Sequence, residues 1–176
     1  MRAVVVYESM YGNTHTVAEA VGRGLGERFD EVEVLPVGDA DTDVVLGADL
    51  LVVGGPTHVH GMTSRTSRRS AATQAEADDD LHLEPHADGP GLRDWFSGLA
   101  RAEQPAAAFD TRVDVNPLLS GRASRAIGRS LRHRGRSLAA SPTSFLVDKE
   151  NHLVEGQEEA AVQWGRELAG SVVPAG

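Results

Sequence analysis

Polar side chains cluster where the first apolar run of the chain ends. Residues 8–14 read ESMYGNT, and they lie between the valine-rich run 2–7 and a helical pattern over 13–28. The first N–H groups of a helix have no partner within the helix, and the helix dipole is positive there. With the hydroxyls of Ser9 and Thr14 beside it, such a turn can bind an anion. Neutral donors of this kind can hold a phosphate monoester, which explains why the turn needs no lysine or arginine.

An ordinary helix cap is the alternative interpretation of this turn, because Asn13 or Thr14 would begin any helix well. Gly12 favours the anion site, since glycine permits positive φ and close approach of a ligand. The pattern is neither the dinucleotide fingerprint, which needs three spaced glycines, nor a Walker loop, which ends in Gly-Lys-Ser/Thr.

A second turn whose residues could contact a ligand follows the third apolar run. Residues 54–62 read GGPTHVHGM, so two glycines precede a proline and two imidazoles, His58 and His60. Backbone and ring surfaces of this kind suit contact with a flat ligand. The alternative is an exposed loop that carries incidental histidines.

Short apolar runs alternate with helical patterns, which predicts an α/β fold with a doubly wound parallel sheet and helices on both faces. The five predicted strands are 2–7, 31–37, 48–55, 104–111 and 137–147, the last interrupted at Pro142. The predicted helices are 13–28, 91–102, 120–135 (with Ser120 as N-cap) and 156–170, with one helical turn near 42–47. A strand order of 2-1-3-4-5 would bring both polar turns to one crevice at the switch point of the sheet.

Residues 62–90 break this alternation. They are polar and poor in large apolar side chains, so we interpret them as a long, partly mobile excursion between the third strand and its helix. We expect a single domain spanning residues 1–176. Within the excursion His82 and His86 have the spacing of metal ligands on a helix, but Pro85 favours a solvated acidic loop without a metal.

Composition narrows the possible chemistry. The chain has no cysteine, which excludes disulfides, thiolate metal sites and cysteine nucleophiles, so redox chemistry would need a bound cofactor. A net charge of −9 argues against nucleic-acid binding. No apolar run is long enough to cross a membrane and no secretory leader is evident, so we expect a soluble, cytoplasmic protein without membrane insertion.

Residues 122–136 contain six arginines and no acidic residue. Helical spacing predicts that five of them share one face, namely Arg122, Arg125, Arg129, Arg132 and Arg136. This face is either a solvated helix surface or a docking surface for an acidic partner or a nucleotide phosphate.

Three segments resemble the loops of flavodoxins. SMYGNT is similar to the phosphate loop, PTHVHGM to the second loop beside the isoalloxazine ring, and DTRV to the third loop at the pyrimidine edge. The resemblance extends over essentially the whole chain, most closely to flavodoxin-like proteins of actinobacteria. SMYG and PT-x-x-x-x-M also resemble FMN-dependent NAD(P)H:quinone oxidoreductases of the same superfamily.

The resemblance implies FMN as the cofactor. Residues implied to cradle its phosphate are Ser9, Met10, Tyr11, Gly12, Asn13 and Thr14. Those implied to line the ring are Pro56, Thr57, His58, Val59, His60 and Gly61. Those implied at the pyrimidine edge are Asp110, Thr111, Arg112 and Val113.

Two departures from the flavodoxin pattern lie at the ring end. The third loop has no aromatic residue, so His58 or His60 would have to cover a ring face. Arg112 would place a cation beside the ring, where it would stabilise negative charge on the reduced flavin and raise the potential.

Three functions remain open at this point. The first is an FMN-binding electron carrier that takes electrons from a redox partner protein and needs no catalytic side chain of its own. The second is an enzyme that uses the same flavin to transfer hydride from NAD(P)H to a quinone. The third is a flavin-free binding module on the same fold. A phospho-acceptor receiver domain is set aside, because Glu8 alone does not form its acidic cluster.

Overall fold

The fold is described from a computed structural model. It covers residues 1–58, 61–64, 66–70, 73, 82–87, 89–116 and 120–172. The strands are β1 Arg2–Tyr7, β2 Glu31–Pro36, β3 Leu50–His58, β4 Gly61–Met62, β5 Pro105–Val113, β6 Ser137–Leu138 and β7 Thr143–Val147. The helices that lie wholly within the described residues are α1 Asn13–Leu25, α2 Thr42–Leu46, α3 Leu92–Gly98, α4 Ala123–His133 and α5 Gln157–Val172.

The strands form one sheet in the order β2-β1-β3-β5, with β6 and β7 both paired to β5. All of these pairs are parallel, and β4 alone runs antiparallel, against the end of β3. The predicted order 2-1-3-4-5 is confirmed, because β6 and β7 are two pieces of the predicted fifth strand. The break falls at Ser141–Pro142, as expected where proline has no N–H for the sheet.

Helices cover both faces of the sheet, also as predicted. Successive residues of β1 point to opposite faces, so Val5 packs in one apolar cluster and Val4 in the other. The Val5 cluster contains residues of α1 and α5, such as Leu25 and Trp164. The second cluster includes residues of α2, α3 and α4. The central strands are therefore buried on both faces, as their continuous apolar runs indicate.

Helices α1 and α5 approach each other through glycine. A Cβ on Gly24 would lie 2.1 Å from the carbonyl oxygen of Val162, and a Cβ on Gly165 would lie 2.4 Å from that of Val21. Neither position can therefore hold a side chain without moving the helices apart. This contact fixes α1, and with it the turn that precedes its first residue.

The predicted start of α4 is wrong. Ser120 is not the N-cap, because the helix begins at Ala123 and Arg122 occupies the cap position. Gly121 has a φ of 75°, a left-handed conformation that interrupts any helix beginning at Ser120. The predicted helix 91–102 is also shorter than expected, because the backbone becomes extended at the buried residue Leu99.

Arg136 does not belong to the predicted arginine face. Helix α4 ends at His133, and Gly135 turns the chain with a φ of 89°. The guanidinium of Arg136 is buried, where it donates to Ala100 O and Gln104 Oε1 at 2.9 and 3.1 Å. Burial, with a smaller contribution from nearby Arg134, lowers the pKa of Arg136. This arginine is a structural link between loops.

The described parts of the excursion are anchored to the core by a buried carboxylate. Glu8 accepts hydrogen bonds from the Thr63 hydroxyl and, at 2.8 Å, from the backbone N–H of Leu92. The guanidinium of Arg68, in the helical stretch 66–70, lies 3.8 Å from the same carboxylate. Glu8 therefore joins the end of β1 to the excursion and to the start of α3. In the part of the chain described here, no helix is long and apolar enough to span a membrane.

Candidate cofactor site

A cleft opens at the carboxyl ends of β1, β3 and β5, where the sheet order reverses. Its open volume is about 500 Å³, including the space at its mouth. The lining residues are Ser9, Met10, Tyr11, Asn13, Thr14, Pro56, Thr57, His58, Thr111, Arg112, Val113, Val147 and Asn151. The two polar turns selected in the sequence thus face one crevice, as the strand order requires.

Most of the sixteen residues selected in the sequence line this cleft, and the others have different locations. Gly12 belongs to the turn itself, between two lining residues. Gly61 lies in β4, opposite His58, and lines a separate groove. Asp110 is fully buried and is not among the lining residues. Val59 and His60 lie outside the described residues.

The N-terminus of α1 points at the cleft and has no side-chain cap. Gly12 precedes the helix with a φ of 96°, and the first turn of α1 contains no acidic residue. Ser9 Oγ accepts the N–H of Gly12 at 3.1 Å, which closes the turn and leaves the hydroxyl hydrogen of Ser9 able to donate elsewhere. An uncapped helix end beside free hydroxyl donors favours a bound anion.

Two threonine hydroxyls meet at the floor of this turn. Thr14 Oγ1 and Thr111 Oγ1 lie 2.7 Å apart, and both side chains are nearly inaccessible from outside. One hydroxyl hydrogen serves the pair, so the other remains available to an acceptor in the cleft. The contact also joins the start of α1 to the end of β5.

Asn13 holds a fourth segment at the cleft. Its side-chain amide donates to the carbonyl oxygen of Asn151 at 2.8 Å and to Asn151 Oδ1 at 3.2 Å. Asn151 has a φ of 64°, a left-handed conformation that asparagine tolerates better than most residues. The Asn13 side chain is therefore engaged in fixing the wall of the cleft, and its backbone is what remains to face a ligand.

Asn151 and Val147 line the cleft, although neither was predicted from the sequence. A usable signal was present, since both follow or end the last strand of a parallel sheet, and the carboxyl ends of such strands share one edge. The contact between residues 13 and 151, by contrast, has no local sequence signal.

Two residues implied at the cofactor also accept hydrogen bonds from the start of α4. The hydroxyl of Thr57 accepts the N–H of Ala123 at 2.8 Å, and Asp110 Oδ2 accepts the N–H of Ser124 at 2.7 Å. The second carboxylate oxygen of Asp110, Oδ1, is buried without a partner among the described residues. Asp110 thus stabilises the fold beneath the cleft, while Thr57 both lines the cleft and caps the helix.

Arg112 is the one arginine among the residues that line the cleft. Its Nη1 donates to the carbonyl oxygens of Val113 and Val115, at 3.2 and 2.9 Å, and lies 3.4 Å from Ser120 Oγ. The residue is 9% exposed, and its Nε has no partner among the described residues. These partners are neutral carbonyl and hydroxyl oxygens, so the positive charge of the guanidinium is not neutralised by an acid in the described structure.

Residues 82–87 of the excursion pack against the turn formed by residues 8–14. The N–H of Glu84 donates to the carbonyl oxygen of Met10 at 2.9 Å, and Ala87 packs against the buried Met10 side chain. Glu84 Oε1 lies 3.2 Å from the Nδ1 of His15. Neither Glu84 nor His15 lines the cleft, so this acidic group lies behind the turn and not in the ligand space.

Tyr7 supports the turn from within the core. Its ring stacks on that of His15, with centroids 4.7 Å apart and planes 10° from parallel. Burial, followed by the negative charge of Glu84, raises the pKa of Tyr7 to about 12. Burial also raises the pKa of Tyr11. Both phenols are therefore neutral at physiological pH.

Comparison with known proteins agrees with this architecture. A family model described as Flavodoxin matches residues 5–99, and no curated protein matches the chain. An archaeal flavodoxin superposes with a TM-score of 0.66 at 20% identity, covering 98% of this chain and 99% of its own. For oxidised flavodoxin 2 from Bacillus cereus the TM-score is 0.65 at 20% identity, covering 96% of this chain and 98% of that one. For a WrbA-like flavodoxin from Agrobacterium tumefaciens the TM-score is 0.60 at 21% identity, covering 97% of this chain and 96% of that one.

Proposed function

This chain belongs to the flavodoxin family, and from that premise we propose that it binds FMN in the cleft and transfers electrons between redox partners. FMN is the cofactor of flavodoxins. The observation that carries the proposal is the uncapped N-terminus of α1, which opens into the cleft beside the hydroxyls of Ser9, Thr14 and Thr111.

The donors at this end match a phosphate monoester. Backbone N–H groups of the turn, the free hydrogen of Ser9 and one hydrogen of the Thr14–Thr111 pair can converge on one anion. Arg112, the cation of the cleft, belongs to the β5 end and not to the turn. The positive end of the helix dipole supplies the remaining attraction. A group with one phosphate is therefore a better match than a pyrophosphate, which would call for additional cations.

The other end of the cleft suits a flat ring. Pro56, Thr57 and His58, at the end of β3, and Arg112 and Val113, at the end of β5, line this end. A flavin bound here supplies one- and two-electron chemistry, which no side chain of the protein needs to perform. The protein binds and orients the ring, excludes water from its inner edge, and adjusts its potential through the charge of Arg112.

A second function, transfer of hydride from NAD(P)H to a quinone, is favoured by one feature of the ring end. Among the described lining residues, His58 is the one aromatic ring that β3 and β5 contribute, and none of those residues is Trp or Phe. An incompletely covered ring face would allow a second substrate to approach the flavin directly. An electron carrier needs less exposure of the ring face, because electrons can leave through the edge of the ring.

The visible spectrum of the purified protein tests cofactor binding. We expect flavin absorbance, or its appearance when FMN is added to colourless protein, with tighter binding of FMN than of riboflavin because the turn holds the phosphate. Colourless protein that ignores added FMN would contradict the proposal and favour a flavin-free binding module.

Reduction kinetics separate the carrier from the enzyme. The FMN-loaded protein is mixed anaerobically with NADPH, with and without a quinone. We expect slow reduction by NADPH alone and rapid reduction when a flavodoxin reductase is added. Rapid bleaching and quinone turnover by the protein alone would identify it as an oxidoreductase.

A further inference from the structure

A second concave site lies on the other side of the β3–β4 hairpin from the cleft. This cationic groove is lined by Gly61, Met62, Arg93, Arg122, Ala126, Arg129, Ser130 and His133. Its open volume is about 900 Å³, including its mouth. Its residues come from β4, from α3, and from α4 with its cap residue Arg122.

The charges in the cationic groove are all positive. No aspartate or glutamate is among its lining residues. Within the described structure, Arg122 and Arg129 form no ion pair, although arginines elsewhere do, as in the pairs Arg23–Glu158 and Arg166–Glu27. The Nε of Arg122 is buried without a hydrogen-bond partner in the same part of the chain. Although the protein has a net charge of −9, no acid of its described part pairs with these guanidiniums.

Arg93 is fixed in the cationic groove by the backbone. Its Nε donates to the carbonyl oxygen of Thr63 at 2.8 Å, and its Nη2 donates to that of Met62 at 2.9 Å. Neutral carbonyl oxygens hold the group without neutralising its charge, so the guanidinium is held in place for an anion.

Helical spacing brings the remaining groups to one face. Arg122, Ala126, Arg129 and His133 follow one another at intervals of four and three residues. Arg122, at the N-cap, and Arg129, two turns further on, thus bring two guanidinium groups to the same side of α4. Arg125 is exposed on the same helix and does not line the groove, so it offers a matched comparison.

The cationic groove lies one hairpin away from the ring end of the cleft. Thr57 and His58, which line the cleft, pair with Met62 and Gly61, which line the groove. Paired residues of antiparallel strands have Cα atoms about 5 Å apart. A ligand bound in the groove would therefore lie next to Thr57 and His58 of the cleft.

We propose that the cationic groove binds the phosphate groups of a nucleotide. Guanidinium groups match phosphate geometry through paired hydrogen bonds, and here they converge on a concave site from two helices. Concavity favours a phosphorylated small molecule over an acidic protein, whose docking surface would be broad and flatter. The proposal goes beyond the proposed function, since it concerns a site outside the cleft and does not depend on a bound flavin.

Calorimetric titration with 2′,5′-ADP at low ionic strength tests the proposal on the full-length protein. We expect binding that Arg129→Ser weakens by about tenfold or more, while Arg125→Ser leaves the affinity within about twofold. Both arginines are exposed, so neither replacement should disturb folding. Adenosine, which has no phosphate, should not bind.

Two further measurements distinguish the groove from the cleft, and a nucleotide from an acidic protein. Thr111→Val, which alters the cleft, should leave the affinity for 2′,5′-ADP unchanged, and a large loss would place the nucleotide in the cleft and overturn the proposal. Equal affinity of the Arg129→Ser variant would also overturn it. So would absence of nucleotide binding together with Arg129-dependent binding of polyglutamate, which would identify the groove as a docking surface for an acidic protein.

Discussion

The hydroxyl oxygens of Thr14 and Thr111 lie 2.7 Å apart, although the two residues are 97 positions apart in the chain. Their contact joins the first turn of α1 to the end of β5 at the floor of the cleft. It therefore couples the start of α1, where we propose that the phosphate binds, to the strand that carries Arg112. A ligand that uses the free hydroxyl hydrogen would bind to both elements at once.

Replacing Thr111 by Val should weaken FMN binding about tenfold, or by about 1.4 kcal/mol, because the Thr14 hydroxyl loses the partner that holds it in place at the floor of the cleft. Riboflavin, which lacks the phosphate, should bind with unchanged affinity. Fluorescence titration of the apoprotein with each flavin measures both. Thr143→Val, at a strand end outside the cleft, is the control. An equal loss for riboflavin would place the effect at the ring.

Replacing Asp110 by Ala should lower the free energy of unfolding by about 1–3 kcal/mol, because the N–H of Ser124 loses its acceptor at the start of α4. Asp110→Asn should cost less, since its amide oxygen can accept the same hydrogen bond. Urea denaturation measures both variants against Asp114→Ala, an exposed aspartate nearby. If Asp110→Ala instead abolished flavin binding at unchanged stability, the carboxylate would belong to the site.

Replacing Arg112 by Gln should lower the midpoint potential of the bound flavin, because a cation that stabilises negative charge on the reduced ring is removed. The effect should be on the order of 1 kcal/mol of electrostatic energy for a partly screened charge. Arg112→Lys keeps the charge and should shift the potential less. Spectroelectrochemical titration gives the values. Unmoved potentials in the Gln variant would show that the guanidinium acts only as a support for the loop at Val115.

Stability should fall in alkaline solution through the ionisation of Tyr7. Its folded pKa of about 12 lies above the ordinary value of 10.0, so the folded state retains the proton more strongly than the unfolded state. The stabilisation is complete below about pH 10 and is lost as the pH rises towards 12. Tyr7→Phe should flatten this loss, as measured by urea denaturation at about pH 9 and about pH 11.5. An identical decline in parent and variant would assign the loss to other groups.

The architecture could be predicted from the sequence because its signals are local. Runs of valine and alanine at β1, β3 and β5 follow from burial on both faces, and the strand order follows from the rules of parallel sheets. The turn at 8–14 was recognisable because glycine and hydroxyl residues separate a buried strand from a helix. Pro142 even marked the break between β6 and β7.

The errors concern contacts between distant residues. Nothing near Ser120 reveals that Thr57 and Asp110 cap α4 three residues later. Arg136 has helical spacing with the other arginines, but its burial against Ala100 and Gln104 depends on where the chain turns at Gly135. The Asn13–Asn151 contact could likewise not be predicted from the sequence, because its partners are 138 positions apart.

The hydrogen bond from the N–H of Glu84 to the carbonyl oxygen of Met10 links the excursion directly to the backbone of the turn. The same peptide backbone that would close around a phosphate also carries the strap formed by residues 82–87, with Ala87 seated on Met10. A ligand held by the turn and the strap formed by residues 82–87 would therefore share the Met10 peptide as a common support.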